Sequence, residues 1–124
     1  MFLYVLQLSS RKYYVGSTKN IVRRSFQHKF KRGAKWTKLF PMIDLAHLFY
    51  ADLDMEDTLT LIVMRKYGIR NVRGGRWTRE KLGAREMKNL HRLCEKLDHS
   101  TFHKRCMRCR DNTITECFLL DSII

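Results

Sequence analysis

Residues 1–18 read MFLYVLQLSSRKYYVGST. Phe2–Leu8 is an apolar run rich in β-formers, Ser9-Ser10-Arg11-Lys12 is a polar turn, and Tyr13–Gly16 is a second β-favouring run. The stretch therefore predicts an antiparallel hairpin. Its composition poses a question. Two tyrosines, Tyr4 and Tyr14, and a glycine, Gly16, stand in a region with no acidic residue nearby.

Working outward, Thr18 or Asn20 is the expected cap of a helix running to about Phe30, with Ile21, Val22, Phe26 and Phe30 at helical spacing and Gly33 as its stop. Pro41 precedes a predicted third strand, Met42–Tyr50. Asp54 is the expected cap of a second helix, with Asp57 as a capping-box analogue; Leu59, Ile62, Val63 and Tyr67 form its stripe and Gly68 ends it. NVRGGRW (71–77) reads as a basic loop. A third helical stretch is expected from Thr78 to about Leu97, weakened at Gly83, and the tail from His99 is rich in cysteine and charge. The predicted class is α+β: a small three-stranded antiparallel sheet flanked by helices, with a helical, cysteine-bearing C-terminal extension. Residues 1–77 are the expected main domain and 78–124 the extension.

The net charge of +13 over 124 residues is unevenly distributed. Residues 1–40 carry ten Lys/Arg and no acid, residues 41–60 carry five acids and no Lys/Arg, and the remainder is basic again. This pattern predicts a polyanion-binding face next to a local anionic site. Phe2–Leu8 is too short for a membrane span or a signal core, so an intracellular protein is expected, cytoplasmic or nuclear. Its four cysteines are then expected to be reduced, buried or metal-bound.

Arg24 and His28, four apart, share a helix face on which arginine suits a phosphate oxygen and histidine can donate or relay a proton. Arg24 alone reads equally well as a solvated charge. Glu56 falls on the same helical stripe as Leu59, Val63 and Tyr67, where a carboxylate is costly unless it is paired or binds a cation. It is a candidate ligand for Mg²⁺ or Mn²⁺, which often take only one or two protein carboxylates. A catalytic tyrosine needs its pKa pulled down from about 10, which neighbouring cations would do. In NVRGGRW, Arg73 and Arg76 are candidate phosphate contacts and Trp77 a core residue or platform.

LYVL at Leu3–Leu6, YVG at Tyr14–Gly16 and STKNIVRRSFQH, which carries Arg24 and His28, together resemble the GIY-YIG nuclease superfamily. GAKWTKLF and KYGIRNVRGGRW look like a branch of small stand-alone members of the type found in large DNA viruses. A host-cell setting goes with that type. The likeness covers roughly residues 2–77. It implies that Tyr4 activates water, Tyr14 positions water or contacts phosphate, Arg24 stabilises phosphoryl charge, His28 assists Tyr4, and Glu56 holds one Mg²⁺ or Mn²⁺. Ser17 stands where some members carry lysine, a contact that Lys12 or Lys19 would then supply. Lys12, Lys19, Arg23, Lys35, Arg73 and Arg76 are the expected nucleic-acid contacts. The pattern also requires both tyrosines to face one side of the sheet, so paired positions must have an even sum. A two-residue loop at Ser10-Arg11 violates that condition, and a three- or five-residue connection or a bulge is predicted instead.

Cys106 and Cys109 form one CxxC, with Cys94, His103 and Cys117 as candidates to complete a zinc site. Structural zinc and unligated thiols both stay open, because one CxxC is half a signal. The expected function is a metal-dependent endonuclease acting on DNA, double-stranded or branched or flapped, in repair, recombination or replication. The alternatives are a non-catalytic nucleic-acid-binding module that retains the fold, and a factor whose tail recruits a protein partner.

Overall fold

The computed structural model describes residues 1–23, 34–98, 102–110 and 112–123. Strand β1 (Phe2–Leu8) and strand β2 (Lys12–Thr18) form the predicted hairpin, joined by the three residues Ser9–Arg11. Ser10 and Arg11 both have φ of 58°, the left-handed conformation that lets so short a connection reverse the chain. Tyr4 pairs with Gly16 and Leu6 with Tyr14, so the even-sum register is the one observed. Alternation then divides the hairpin. Leu3, Val5 and Val15 enter the larger core, while Tyr4, Leu6, Leu8 and Tyr14 enter a smaller one built around Trp36.

Helix α1 (Lys35–Leu39) lays Trp36 on the tyrosine face, where its indole N–H donates to the Tyr13 carbonyl at 3.0 Å. Strand β3 (Met42–Tyr50) has the predicted limits and pairs with β1 through two register shifts. Helix α2 (Glu56–Tyr67) follows a 3-10 turn over Leu53–Met55 and stops at Gly68, whose φ of 97° suits only glycine well. The expected Asp54 cap is not made. Asp54 lies inside the 3-10 turn, Met55 takes the cap position, and no side chain caps the helix.

The sheet has a fourth strand where a loop was expected. Val72–Gly74 is β4 and pairs in parallel with β2, giving the order β3-β1-β2-β4. The sheet is therefore mixed, not purely antiparallel. Two glycines in a basic run suggested a loop, yet Gly74 is selected by close approach, since a Cβ there would overlap the Val15 carbonyl. Helix α3 (Ala84–Glu95) begins after Gly83, which takes its N-cap position, so the helix starts later than Thr78. Strands β5 (Arg105–Cys106) and β6 (Asn112–Thr113) make a small ribbon before helix α4 (Ile114–Ile123). Leu90, Phe102, Ile114 and Phe118 belong to the same buried cluster as Leu3, Val15 and Phe49, so the C-terminal segment contributes to the core of the main sheet.

Candidate active site

The hairpin places Tyr4 and Tyr14 on one face with ring centroids 6.4 Å apart. Both are buried, at 1% and 6% exposure. Gly16, opposite Tyr4, explains itself here. A Cβ at Gly16 would collide with the Tyr4 hydroxyl and Cζ, so the phenol lies directly on the glycine backbone.

Glu56 arrives from the other face. It opens α2, is half-buried, and its Oε2 accepts a hydrogen bond from Ser17 Oγ at 3.3 Å. Strand β4 pairs with β2 only as far as Val15, so among the described residues no strand pairs with this side of β2 from Gly16 onward. The Tyr4 hydroxyl rests on Gly16 on one face of the sheet, and on the other face the Glu56 carboxylate meets the next residue, Ser17. Phenol and carboxylate thus contact two consecutive residues of one strand end from opposite faces. The position of Glu56 in the first helical turn also favours its negative charge.

Arg24 and His28 lie outside the described residues. Residues 21–23 are helical, and Asn20 caps them: its Oδ1 accepts the Arg23 N–H at 3.0 Å. Lys19 and Arg23 are exposed at this end of β2. Lys12 is half-buried, donates to Asn71 Oδ1 at 2.8 Å and stands over the Phe40 ring. Lys35 is exposed, 3.5 Å from Glu80.

Arg73 is 4% exposed, and its guanidinium donates to the carbonyls of Ile69, Val72, Arg79 and Glu80 while stacking on Trp36 at 4.4 Å. Burial lowers its pKa and the charge of Glu86 raises it. It is an internal cation that ties α1, β4 and the following loop together, which sets it apart from the exposed cations of the chain. In the glycine loop several donors are already engaged. The amides of Gly74 and Trp77 bond to each other's residue, and the amide and Nε of Arg76 both donate to the Asp57 carboxylate. Arg76 remains exposed. Trp77 is core.

The cysteines also regroup. Cys106, Cys109 and Cys117 come together with His47 of β3. Cys94 is instead buried between α2 and α3, with Sγ 3.8 Å from the Leu61 carbonyl, and His103 is exposed and outside the group. His47 was missed by sequence reasoning because nothing in its neighbourhood carries ligand spacing. Burial opposes ionisation of Cys106, but hydrogen bonds from His47, backbone N–H groups and the Cys109 thiol outweigh it and bring the pKa to about 6. Burial, a hydrogen bond to Cys109 and the negative charges of its sulfur neighbours push Cys117 upward. Burial raises the Cys94 pKa, opposed by the charge of Arg65.

Among the described residues no helix is long and apolar enough to cross a membrane. Comparison with known families matches residues 1–68, more than half of the chain, to the GIY-YIG catalytic domain. The matched stretch contains Tyr4, Tyr14, Gly16, Ser17 and Glu56. Neither the curated proteins nor the solved structures give a significant match.

Proposed function

Because the chain belongs to the GIY-YIG nuclease superfamily, we propose that it is a metal-dependent endonuclease that hydrolyses DNA phosphodiester bonds, with branched or flapped DNA as preferred substrate. Its setting is then DNA repair, recombination or replication inside the cell. The observation that supports this reading is that the Tyr4 hydroxyl and the Glu56 carboxylate contact neighbouring residues of β2, Gly16 and Ser17, within the stretch matched to the family.

The chemistry follows from these groups. Tyr4 takes the proton of the attacking water, aided by a basic surrounding that favours phenolate. Tyr14, on the same face, positions the water or a phosphate oxygen. Arg24 places its fork on the phosphoryl oxygens and His28 assists Tyr4. Attack in line with the scissile P–O bond leaves a 5′-phosphate and a 3′-hydroxyl. The donors there are oxygens, the carboxylate of Glu56 beside the hydroxyl of Ser17, and so suit a hard divalent cation. Glu56 would hold it, and a bound Mg²⁺ or Mn²⁺ supplies Lewis-acid stabilisation of phosphate charge. Lys19, Arg23, Lys35 and Arg76 are exposed and would contact the DNA backbone.

The deep burial of Tyr4 favours a second reading, in which the fold binds nucleic acid without cutting and the tyrosines only fill the smaller core. Cleavage of labelled plasmid, single-stranded, flap and four-way-junction DNA decides between the two. It is run with Mg²⁺, Mn²⁺ or EDTA, with wild type beside Glu56→Gln. Metal-dependent cutting lost in Glu56→Gln is the expected result. Salt-sensitive binding without cutting under every condition establishes the second reading.

A further inference from the structure

We propose that His47, Cys106, Cys109 and Cys117 bind one structural zinc ion that fastens the C-terminal segment to the edge strand of the nuclease sheet. The four ligand atoms all lie within 4.8 Å of one another. Nδ1 of His47 is 3.7 Å from Cys106 Sγ and 3.5 Å from Cys109 Sγ. A tetrahedral zinc with Zn–S of about 2.3 Å and Zn–N of about 2.0 Å needs S···N separations of about 3.5 Å, so the observed spacing already has the size of the coordination shell. None of the three cysteines is in a disulfide.

The chemistry of the donors agrees. Three soft sulfurs and an imidazole make a closed set of four, the pattern of structural rather than catalytic zinc. The CxxC turn is already formed, with the Cys109 amide donating to Cys106 Sγ at 3.3 Å, so both sulfurs face the same centre. The His47 ring is 2% exposed, yet its Nε2 has no hydrogen-bond partner. No hydrogen bond at the far nitrogen sets its orientation. The ring is held between Phe49 and Phe118 with Nδ1 toward the sulfurs. One of the register shifts of β3 falls between the partners of Val5 and Leu6, and it brings Ala46 as well as His47 toward this side of the sheet.

The location gives the ion its purpose. In the order β3-β1-β2-β4, β3 is an edge, and exposed edges invite pairing with other chains. The tail covers it: the Met107 amide donates to the Leu48 carbonyl at 2.7 Å and Arg108 Nε to the Leu45 carbonyl at 3.2 Å. Two strands of two residues each are too short to hold themselves there. Zinc joining β3 to the CxxC and to α4 locks the cover in place and makes the tail an integral part of the fold.

The test uses the full chain, purified without chelator, with metal content measured by atomic emission and the ligands read by cobalt substitution. One zinc per chain is expected, and the cobalt form shows thiolate-to-metal charge transfer with tetrahedral visible bands. Cys106→Ser and His47→Ala lose the ion, whereas Cys94→Ser, His103→Ala and Glu56→Gln keep it. If the loss variants do not fold, His47→Cys decides. It retains the ion and gains charge-transfer intensity from a fourth thiolate. A folded chain without metal, whose cysteines react with a thiol reagent as fast before as after chelator, overturns the proposal. Loss of zinc in Cys94→Ser or His103→Ala, or a His47→Cys spectrum unchanged from wild type, overturns this ligand set.

Discussion

Odd-numbered hairpin residues Leu3, Val5 and Val15 face α2 and the tail, whereas even-numbered Tyr4, Leu6, Leu8 and Tyr14 face Trp36. Both faces are buried, but they differ in kind. The first is a large hydrocarbon core that includes Phe49, Leu59, Ile62 and Leu90. The second is smaller, and brings two phenols together with the internal cation Arg73, whose guanidinium is stacked on Trp36. One hairpin therefore separates two tasks by the period-two alternation of its side chains. The odd face holds the fold together, and the even face carries the polar groups. A one-residue slip of register would exchange the two tasks, which is why the three-residue connection matters.

The sharpest way to break this comparison is to substitute one aromatic on each side. Tyr4→Phe is expected to lower DNA cleavage by ~10²–10⁴-fold, the usual contribution of a positioned base. It keeps the ring and should leave the denaturation midpoint close to wild type. Phe49→Ala empties a fully buried position in the larger core and is expected to lose about 3–5 kcal/mol of stability. Its specific activity per folded molecule stays near wild type. Guanidinium unfolding and cleavage rates on both variants check the pair. Equal loss of stability in both would mean that Tyr4 is only packing.

Gly16→Ala sharpens the boundary between the faces. The added methyl must displace the Tyr4 phenol, because no space exists between ring and backbone. Overpacking of this kind costs about 1–3 kcal/mol. Since a misplacement of about 1 Å can cost ~10²-fold in rate, cleavage is expected to fall further than stability. Unfolding midpoints and single-turnover rates, measured side by side, give the split.

The hairpin was legible because its evidence is local: β-formers, a polar turn and a parity condition that the tyrosines impose. Strand β3 and the end of α2 at Gly68 were legible for the same reason. What escaped was long-range. Strand β4 is three residues long and exists because Gly74 fits under the Val15 carbonyl, a contact no window of sequence contains. Asp57 was read as the capping-box analogue behind an Asp54 cap, but it is the acceptor for Arg76, nineteen residues away. His47 lies 59 residues from Cys106, so a search among the C-terminal residues nominated Cys106, Cys109 and Cys117 but joined them to Cys94 and His103, which lie outside the cluster. In the candidate site, Tyr4, Tyr14 and Glu56 were nominated by the ordered set of motifs, whereas the hydrogen bond from Ser17 to Glu56 spans 39 residues and was not legible in the sequence.

Charge teaches the same distinction on a smaller energetic scale. Arg73 and Lys19 are both cations in a strongly basic chain, and composition cannot tell them apart. Arg73 donates to four backbone carbonyls, two of them in buried bonds, so Arg73→Ala leaves those acceptors unpaired and is expected to destabilise the protein by about 1–3 kcal/mol. Lys19 is exposed just after β2, and Lys19→Ala should change stability by no more than about 0.5 kcal/mol. Its effect belongs to binding. Neutralising one phosphate contact lowers the slope of log affinity against log salt by about 0.9 on duplex DNA. Titrations at several salt concentrations should therefore show a shallower slope for Lys19→Ala and an unchanged slope for folded Arg73→Ala. A reduced slope for Arg73→Ala at full stability would return that arginine to the DNA-binding surface and undo its assignment to the interior.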